Sequence, residues 1–491
     1  MRDIRFDFNN MFSANIGKVH GVSEPELKML MPVLEKARKH LLGLFKDRQT
    51  RIRLSLEWFE LPFQHRQEIE KIEMLAREIT EGFENVIFLG IGGSFLGLKA
   101  AQDALTPAYY NDFSELRKGR PRVFFEGNNL DPDTLSVLLK NLPPQKTFVV
   151  VISKSGETTE TKAAFSVVEA WLKKGVGRFF GRQILVITDP DSGALRRRVN
   201  LEHNKDRSSF RSLELKNGVG GRFSELNMGL LHLAIMGIDI GQVFKGAQDM
   251  ISKCESASLF SNPALMYAAL ETILYKKKNK SIAIMMPFSE TLKSTADWYV
   301  QLLAESLGKK YARKIKKDAS GREAWDRDKK HIVNVGRTPI IAARGTNDLH
   351  SIQQNNIEGE NNKSVTFIKV EEFGQELKAI GTGDFLEGKK FSQLLSLAEE
   401  ATEWALVKDQ RPNCTIMLPK INPYYWGGLI LFFELATAYE GELLDVNAFD
   451  QPGVEGYKNY MYYRLGKPGL PKEITLEIKK RPLIKNPKFI I

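Results

Sequence analysis

The residue types that move protons and hold phosphate fall into six short stretches of this 491-residue chain. In TADWYVQLLAESLGKK (residues 295–310), Gly308 marks a helix end, and Trp298, Leu302 and Glu305 recur at the spacing of one helical face. Glu305 then lies on an apolar stripe near the negative end of its helix. Desolvation and the macrodipole both disfavour its charged form there, which is how a carboxylate becomes a base useful near neutral pH. A glutamate at the edge of an apolar face is the plainer reading of the same spacing. In NGVGGRFSELNMG (217–229), Arg222 sits inside a glycine-rich turn, where a guanidinium can stabilise negative charge developing on a substrate oxygen. An exposed turn arginine would look the same.

Two further stretches follow apolar runs. In TFVVVISKSGETT, Ser153, Ser155, Thr158 and Thr159 offer hydroxyl donors and Gly156 frees the backbone. Neutral donors at a helix start suit a phosphate monoester that must arrive and leave, although helix capping also uses them. In NVIFLGIGGSFLG, Gly90, Gly92, Gly93 and Ser94 form a tight turn into a helix. It is not a dinucleotide fingerprint, because Phe95 takes the third glycine position. It is not a P-loop, because Lys99 does not directly follow Gly97. His350 comes shortly after an apolar run in ARGTNDLHSIQQ, and Gln451 and Lys458 are the polar candidates in FDQPGVEGYKNYM. No His, Cys, Asp and Glu cluster has metal-site spacing.

These residues need a scaffold, and the pattern supplies one. Short β-rich runs at Asn85–Gly90, Arg122–Glu126, Thr147–Ser153 and Gln183–Asp189 are separated by stretches compatible with helix. A second series follows at Ser281–Pro287, Pro339–Ala343, Ser364–Val370 and Thr415–Leu418. Apolar strands alternating with helices predict an α/β fold of parallel sheets covered on both faces. Residues 1–81 read as mostly helical, Leu226–Ile238 as a helical link and Glu473–Lys480 as the last helix before a basic surface tail. Open parallel sheets bind ligands at the carboxyl ends of their strands, so two donor-rich turns in that place point to one shared ligand.

Composition sets the class. Hydrophobic residues make up 42% and charged residues 27%, as in a globular enzyme. No stretch approaches the ~18–20 apolar residues of a membrane span, and the first residues lack an apolar signal core, so a cytoplasmic protein is expected. Cys254 and Cys414 are expected as reduced structural thiols. The net charge of +11 is spread over scattered basic runs without aromatic interleaving. That argues against nucleic acid and fits attraction of an anionic small substrate.

As a set, GIGGS, SKSGETT, GGRFS, ES-x-GK (Glu305 to Lys309) and FDQPGVE-x-x-K, with GTNDLH between the last two, resemble the glucose-6-phosphate isomerase (phosphoglucose isomerase) family in its shorter bacterial form. The resemblance implies two sugar-isomerase (SIS-type) domains, 82–230 and 1–81 with 231–491, the second carrying N-terminal helices and a C-terminal helical extension. It implies aldose–ketose isomerisation in glycolysis and gluconeogenesis, with no metal and no cofactor. It also implies residue roles. Ser153, Ser155 and Thr158, with backbone around Lys154, would bind the phosphate, and Gly93 and Ser94 would line the sugar site. Arg222 would stabilise the enediolate, and Glu305 would carry the proton between C2 and C1. His350 and Lys458 would assist ring opening, and Gln451 would hold the substrate nearby. The family is a homodimer in which the histidine serves the neighbouring site, so His350 is expected to act in trans. Glu157 places a carboxylate in the proposed phosphate loop, and its side chain is expected to point away. The alternatives are an isomerase of another sugar phosphate, such as mannose 6-phosphate, and a non-catalytic sugar-phosphate sensor. Keeping Glu305, Arg222, His350 and Lys458 argues against the sensor, since a binder needs no base.

Overall fold

A computed structural model of the chain describes residues 2–340 and 343–491. It divides into two units, Met1–Ala448 and Phe449–Ile491. Among the described residues the strands are β1 (Arg5–Asp7), β2 (Asn85–Leu89), β3 (Arg122–Glu126), β4 (Thr147–Ile152), β5 (Ile184–Thr188), β6 (Arg211–Glu214), β7 (Ile282–Pro287), β8 (Lys309–Lys317), β9 (Glu323–Val335), β10 (Thr338–Ile340), β11 (Lys363–Glu372) and β12 (Asn413–Lys420). The helices that bear on the site are α1 (Leu96–Leu105), α2 (Thr159–Val176), α3 (Lys293–Leu307) and α4 (Pro423–Leu444) in the first unit, and α5 (Glu455–Arg464) in the second.

The first sheet has the order β3-β2-β4-β5-β6, with every pairing parallel. β2, β4 and β5 are buried along their whole length. That is why they read as unbroken apolar runs rather than alternating ones. The chain leaves β2 for β3 on one side and returns to place β4 on the other. The strand order therefore reverses between β2 and β4. The GIGGS turn leaves the carboxyl end of β2, and the SKSGETT turn leaves that of β4. Two adjacent loops at such a reversal flank a crevice suited to ligand.

The second sheet has the order β1-β12-β11-β7-β10, parallel except for β1, which runs antiparallel on the edge. The strand expected over Pro339–Ala343 is found as Thr338–Ile340, and Ile341 and Ala342 lie outside the described residues. Several elements depart from the sequence reading. Edge strands β1 and β6 were not expected, being short and half-exposed, without an apolar run. The lysine-rich run around Lys314 is part of an antiparallel ribbon, β8 with β9. The expected helical link Leu226–Ile238 breaks at Gly229 into Glu225–Met228 and Leu230–Met236.

α4 is buried along almost its whole length. Its start is capped by Asn422, whose side-chain oxygen accepts the Tyr425 N–H at 2.9 Å, with Pro423 at the first helical position. Its apolar run carries Glu434, Glu440 and Glu442. Among the described residues no helix is long and apolar enough to cross a membrane. Cys254 and Cys414 are buried and free. The second unit holds a 3-10 turn at Pro452–Val454, then α5, then a helix at Lys472–Lys480, one residue longer than expected.

Candidate active site

Arg222 organises the centre of the site. Its side chain is 1% exposed, and its guanidinium lies 5.7 Å from the centroid of the Phe223 ring. Nε donates to Ser306 Oγ at 2.7 Å, one terminal nitrogen donates to Glu305 Oε2 at 3.2 Å, and the other to the Ala448 carbonyl. A buried guanidinium is tolerable only when so engaged, and its planar fork spreads the bonds over three directions. The GGRFS turn is thereby fastened to the last turn of α3.

Glycine is what lets the neighbouring loops close on this pair. A Cβ built on Gly93 would lie 1.9 Å from the Gly221 carbonyl oxygen, so the GIGGS and GGRFS turns touch backbone to backbone. A Cβ on Gly92 would lie 2.9 Å from Gln301 Nε2. That amide in turn donates to Glu305 Oε1 at 3.4 Å, one turn along α3. Ser94 donates to Met228 Sδ at 3.5 Å, which holds the end of the GIGGS turn against the segment after Arg222.

The setting of Glu305 corrects one expectation. Trp298 and Leu302 are fully buried, as the face predicts, but the Glu305 side chain is 30% exposed. The apolar stripe stops there because the Arg222 turn docks at that point. Glu305 is thus a partly open carboxylate beside a cation, not a desolvated one. The Lys309 ammonium donates to the Glu305 backbone carbonyl, so a positive charge also sits on the exposed end of the helix.

The SKSGETT loop is shaped by its own hydroxyls. Ser153 Oγ accepts the Gly156 N–H at 3.1 Å, and Ser155 Oγ accepts the Glu157 N–H at 3.1 Å. Each hydroxyl keeps its hydrogen to donate. Ser153 is buried and Ser155 exposed. Gly156 has φ +72°, and a Cβ there would lie 2.7 Å from Leu195, so the turn demands glycine. Thr158 occupies the N-cap position of α2 but makes no side-chain cap bond, so capping does not explain its hydroxyl. Lys154 Nζ donates to the Val219 carbonyl at 3.2 Å, tying this loop to the approach of the GGRFS turn. Glu157 pairs with Lys162 on α2 at 3.6 Å.

His350 ends a short 3-10 turn, Asn347–His350, and is exposed. The turn is pinned by buried Asp348, which accepts from the Arg344 N–H at 2.7 Å and from Ser351 Oγ at 2.8 Å. The His350 ring makes no hydrogen bond or ion pair with another described residue. Gln451 and Lys458 belong to the second unit, where Gln451 precedes the Pro452–Val454 turn and Lys458 pairs with Glu455 at 3.1 Å. The first unit therefore brings Arg222 and Glu305 into direct contact and ties the loops bearing Gly93, Ser94, Ser153, Lys154, Ser155 and Thr158 to them. Two participants were missed from sequence. Ser306 lies inside the ES-x-GK motif, and Gln301 lies four residues before Glu305, on its face. That helical spacing was the available signal. Among the described residues, no group of His, Cys, Asp and Glu is placed to hold a metal ion.

A model of the family described as phosphoglucose isomerase matches residues 66–463. The glucose-6-phosphate isomerase of Carboxydothermus hydrogenoformans is 37% identical, over 98% of each chain. That of Alkaliphilus metalliredigens is 33% identical, over 98% of this chain and 99% of its own. Among solved structures, a hypothetical protein from Thermus thermophilus superposes with a TM-score of 0.78 at 30% identity, covering 94% of this chain and 100% of its own. A glucose-6-phosphate isomerase from Chlamydia trachomatis gives 0.74 at 21% identity, over 94% and 90%, and so shares the fold.

Proposed function

The chain belongs to the phosphoglucose isomerase family, and on that premise we propose which of its residues carry each step of the reaction. It is an aldose–ketose isomerase that interconverts D-glucose 6-phosphate and D-fructose 6-phosphate through a cis-enediol(ate). The observation that carries the residue assignment is the Arg222–Glu305 pair, 3.2 Å apart, with Gly93 pressed against the same turn.

In this reading the phosphate sits in the SKSGETT loop. Ser153, Ser155, Thr158 and backbone N–H groups around Lys154 donate to it, and the positive end of α2 lies behind. The Glu157 carboxylate, paired with Lys162, leaves the loop to the donors. Gly93 and Ser94 line the sugar, and Gln451 holds the substrate nearby. His350 and Lys458 exchange protons with the ring oxygen and the anomeric hydroxyl to open the ring.

The Glu305 carboxylate then takes the proton from C2. Electrons move onto the C1 carbonyl oxygen, and the Arg222 guanidinium stabilises the enediolate. A proton passes between O1 and O2, and Glu305 returns its proton to C1, leaving the ketone at C2. Every step uses a side-chain acid, base or cation. We further propose that the two sheets mark two domains, 82–230 and 1–81 with 231–491, that the enzyme is a cytoplasmic homodimer, and that His350 acts on the partner subunit's substrate.

A coupled assay in the presence of EDTA tests the reading. The purified protein is expected to interconvert the two hexose phosphates with no added metal and to turn over mannose 6-phosphate far more slowly. Absence of turnover on glucose 6-phosphate would overturn it.

A further inference from the structure

Glu225 stands where the segments of the site meet. It follows Arg222 by three residues. Its Oε1 accepts the indole N–H of Trp298 at 2.7 Å, seven residues before Glu305 on α3. A Cβ on Gly97, in the first turn of α1, would lie 2.2 Å from Glu225 Cγ. Glu225 therefore touches both the helix that carries Glu305 and the helix that follows GIGGS. Its other neighbour is Glu434, in the middle of α4, within hydrogen-bond reach. Both residues are 3% exposed.

The charged groups on the surrounding elements are engaged elsewhere. Lys99 pairs with Asp103 on α1, Lys293 with Asp297 on α3, and Glu440 of α4 with Arg337. Arg222 turns to Glu305, Ser306 and Ala448. Two enclosed carboxyl groups within hydrogen-bond reach of each other, neither of them paired with a cation among the described residues, cannot both ionise. Burial raises both above the ordinary carboxylate range, and the nearby Glu225 charge lifts Glu434 further. Glu225 Oε2 is enclosed and, among the described residues, meets no N–H or hydroxyl donor. Glu225 already accepts from Trp298, so the proton belongs on Glu434.

We propose that Glu434 retains a proton and donates it to Glu225, and that this bond, passed on through Trp298, sets the register of α3 and so the placement of Glu305. Glu225 and Glu434 are positioning residues for the reaction, and the kinetic part of the proposal rests on the assignment of Glu305 as base. Both groups hold a proton more tightly folded than unfolded. The stability they contribute is full below the unfolded carboxylate range and is lost as pH rises towards their raised folded values.

Two variants test this. Glu434→Gln keeps a donor towards Glu225 but cannot titrate. Trp298→Phe removes the indole donor and keeps an aromatic ring. Thermal melting between about pH 6 and 9 should show the wild type losing Tm on the alkaline side more steeply than E434Q. The alkaline limb of kcat should move in the same way, with KM unchanged. W298F, assayed well below its Tm, should lose about 10-fold to 10²-fold in kcat through a misplaced base, with KM near wild type. Equal Tm slopes for wild type and E434Q would overturn the retained proton, and wild-type kcat in W298F would overturn the positioning role. The melting curves do not depend on which residue is the base. A wrong assignment of Glu305 would instead show as turnover surviving in E305Q while the Tm difference persisted.

Discussion

Glu305 has a different partner on each carboxylate oxygen, the Arg222 guanidinium on Oε2 and the Gln301 amide on Oε1. The two contacts fix the direction in which the carboxylate can reach a substrate carbon, while its 30% exposure leaves room for one. Glu305→Gln keeps the shape and an acceptor for Arg222 but removes the proposed base. It is expected to lower kcat by ~10²–10⁴-fold while binding of an unreactive sugar-phosphate ester stays near wild type. Stopped-flow or coupled kinetics beside ester inhibition separate these effects, and near-normal turnover would place the base elsewhere. The candidate itself was legible, because Trp298, Leu302 and Glu305 share a helical face. Its surroundings were not. The face stops being apolar at Glu305 only because a turn far away in the sequence folds onto it, and helical periodicity carries no information about such a contact.

The turns between strands and helices carry the tightest requirements. The apolar runs of β2, β4 and β5 announced themselves because both faces are buried. Strand β6 and the β8–β9 ribbon did not, since edges and solvated ribbons are chosen by pairing rather than by hydrophobicity. Glycines likewise differ in ways the sequence cannot rank. At Gly93 an added methyl meets the Gly221 carbonyl at 1.9 Å, backbone against backbone, so neither loop can yield without moving the other. Gly93→Ala is expected to cost ~1–3 kcal/mol in stability, as overpacking does, and to lower kcat by displacing Arg222 from Glu305. Gly43, inside the helix Glu24–Phe45, meets nothing within 4 Å. Gly43→Ala is expected to gain ~0.5–1 kcal/mol with activity unchanged. Urea unfolding of the two variants checks both signs, and a neutral Gly93→Ala would show that the loops do not depend on their close approach.

Across the whole molecule, His350 is a proposed catalytic group left without a hydrogen-bond partner among the described residues. Its turn is rigidly built around Asp348, yet the ring projects from an exposed end and bonds to no described residue. A side chain held firmly by its backbone and unengaged at its tip fits a role on a surface supplied by another copy. Composition gave no hint of this, because an exposed histidine and a histidine that crosses a two-fold interface have the same sequence signature. The proposed trans arrangement makes a quantitative prediction. Glu305→Gln and His350→Ala subunits should each form dimers of low activity. In a mixed dimer of two-fold symmetry, one site combines the intact Glu305 of one subunit with the intact His350 of its partner, and the other site has neither. Random reassembly of equal amounts makes half the dimers mixed, so activity should recover to about a quarter of wild type. Were His350 to act within its own chain, every site in a mixed dimer would lack one group or the other. The mixture would then stay at the average of the two parents. Co-refolding the variants and assaying before and after subunit exchange distinguishes the two arrangements without any need to see the interface.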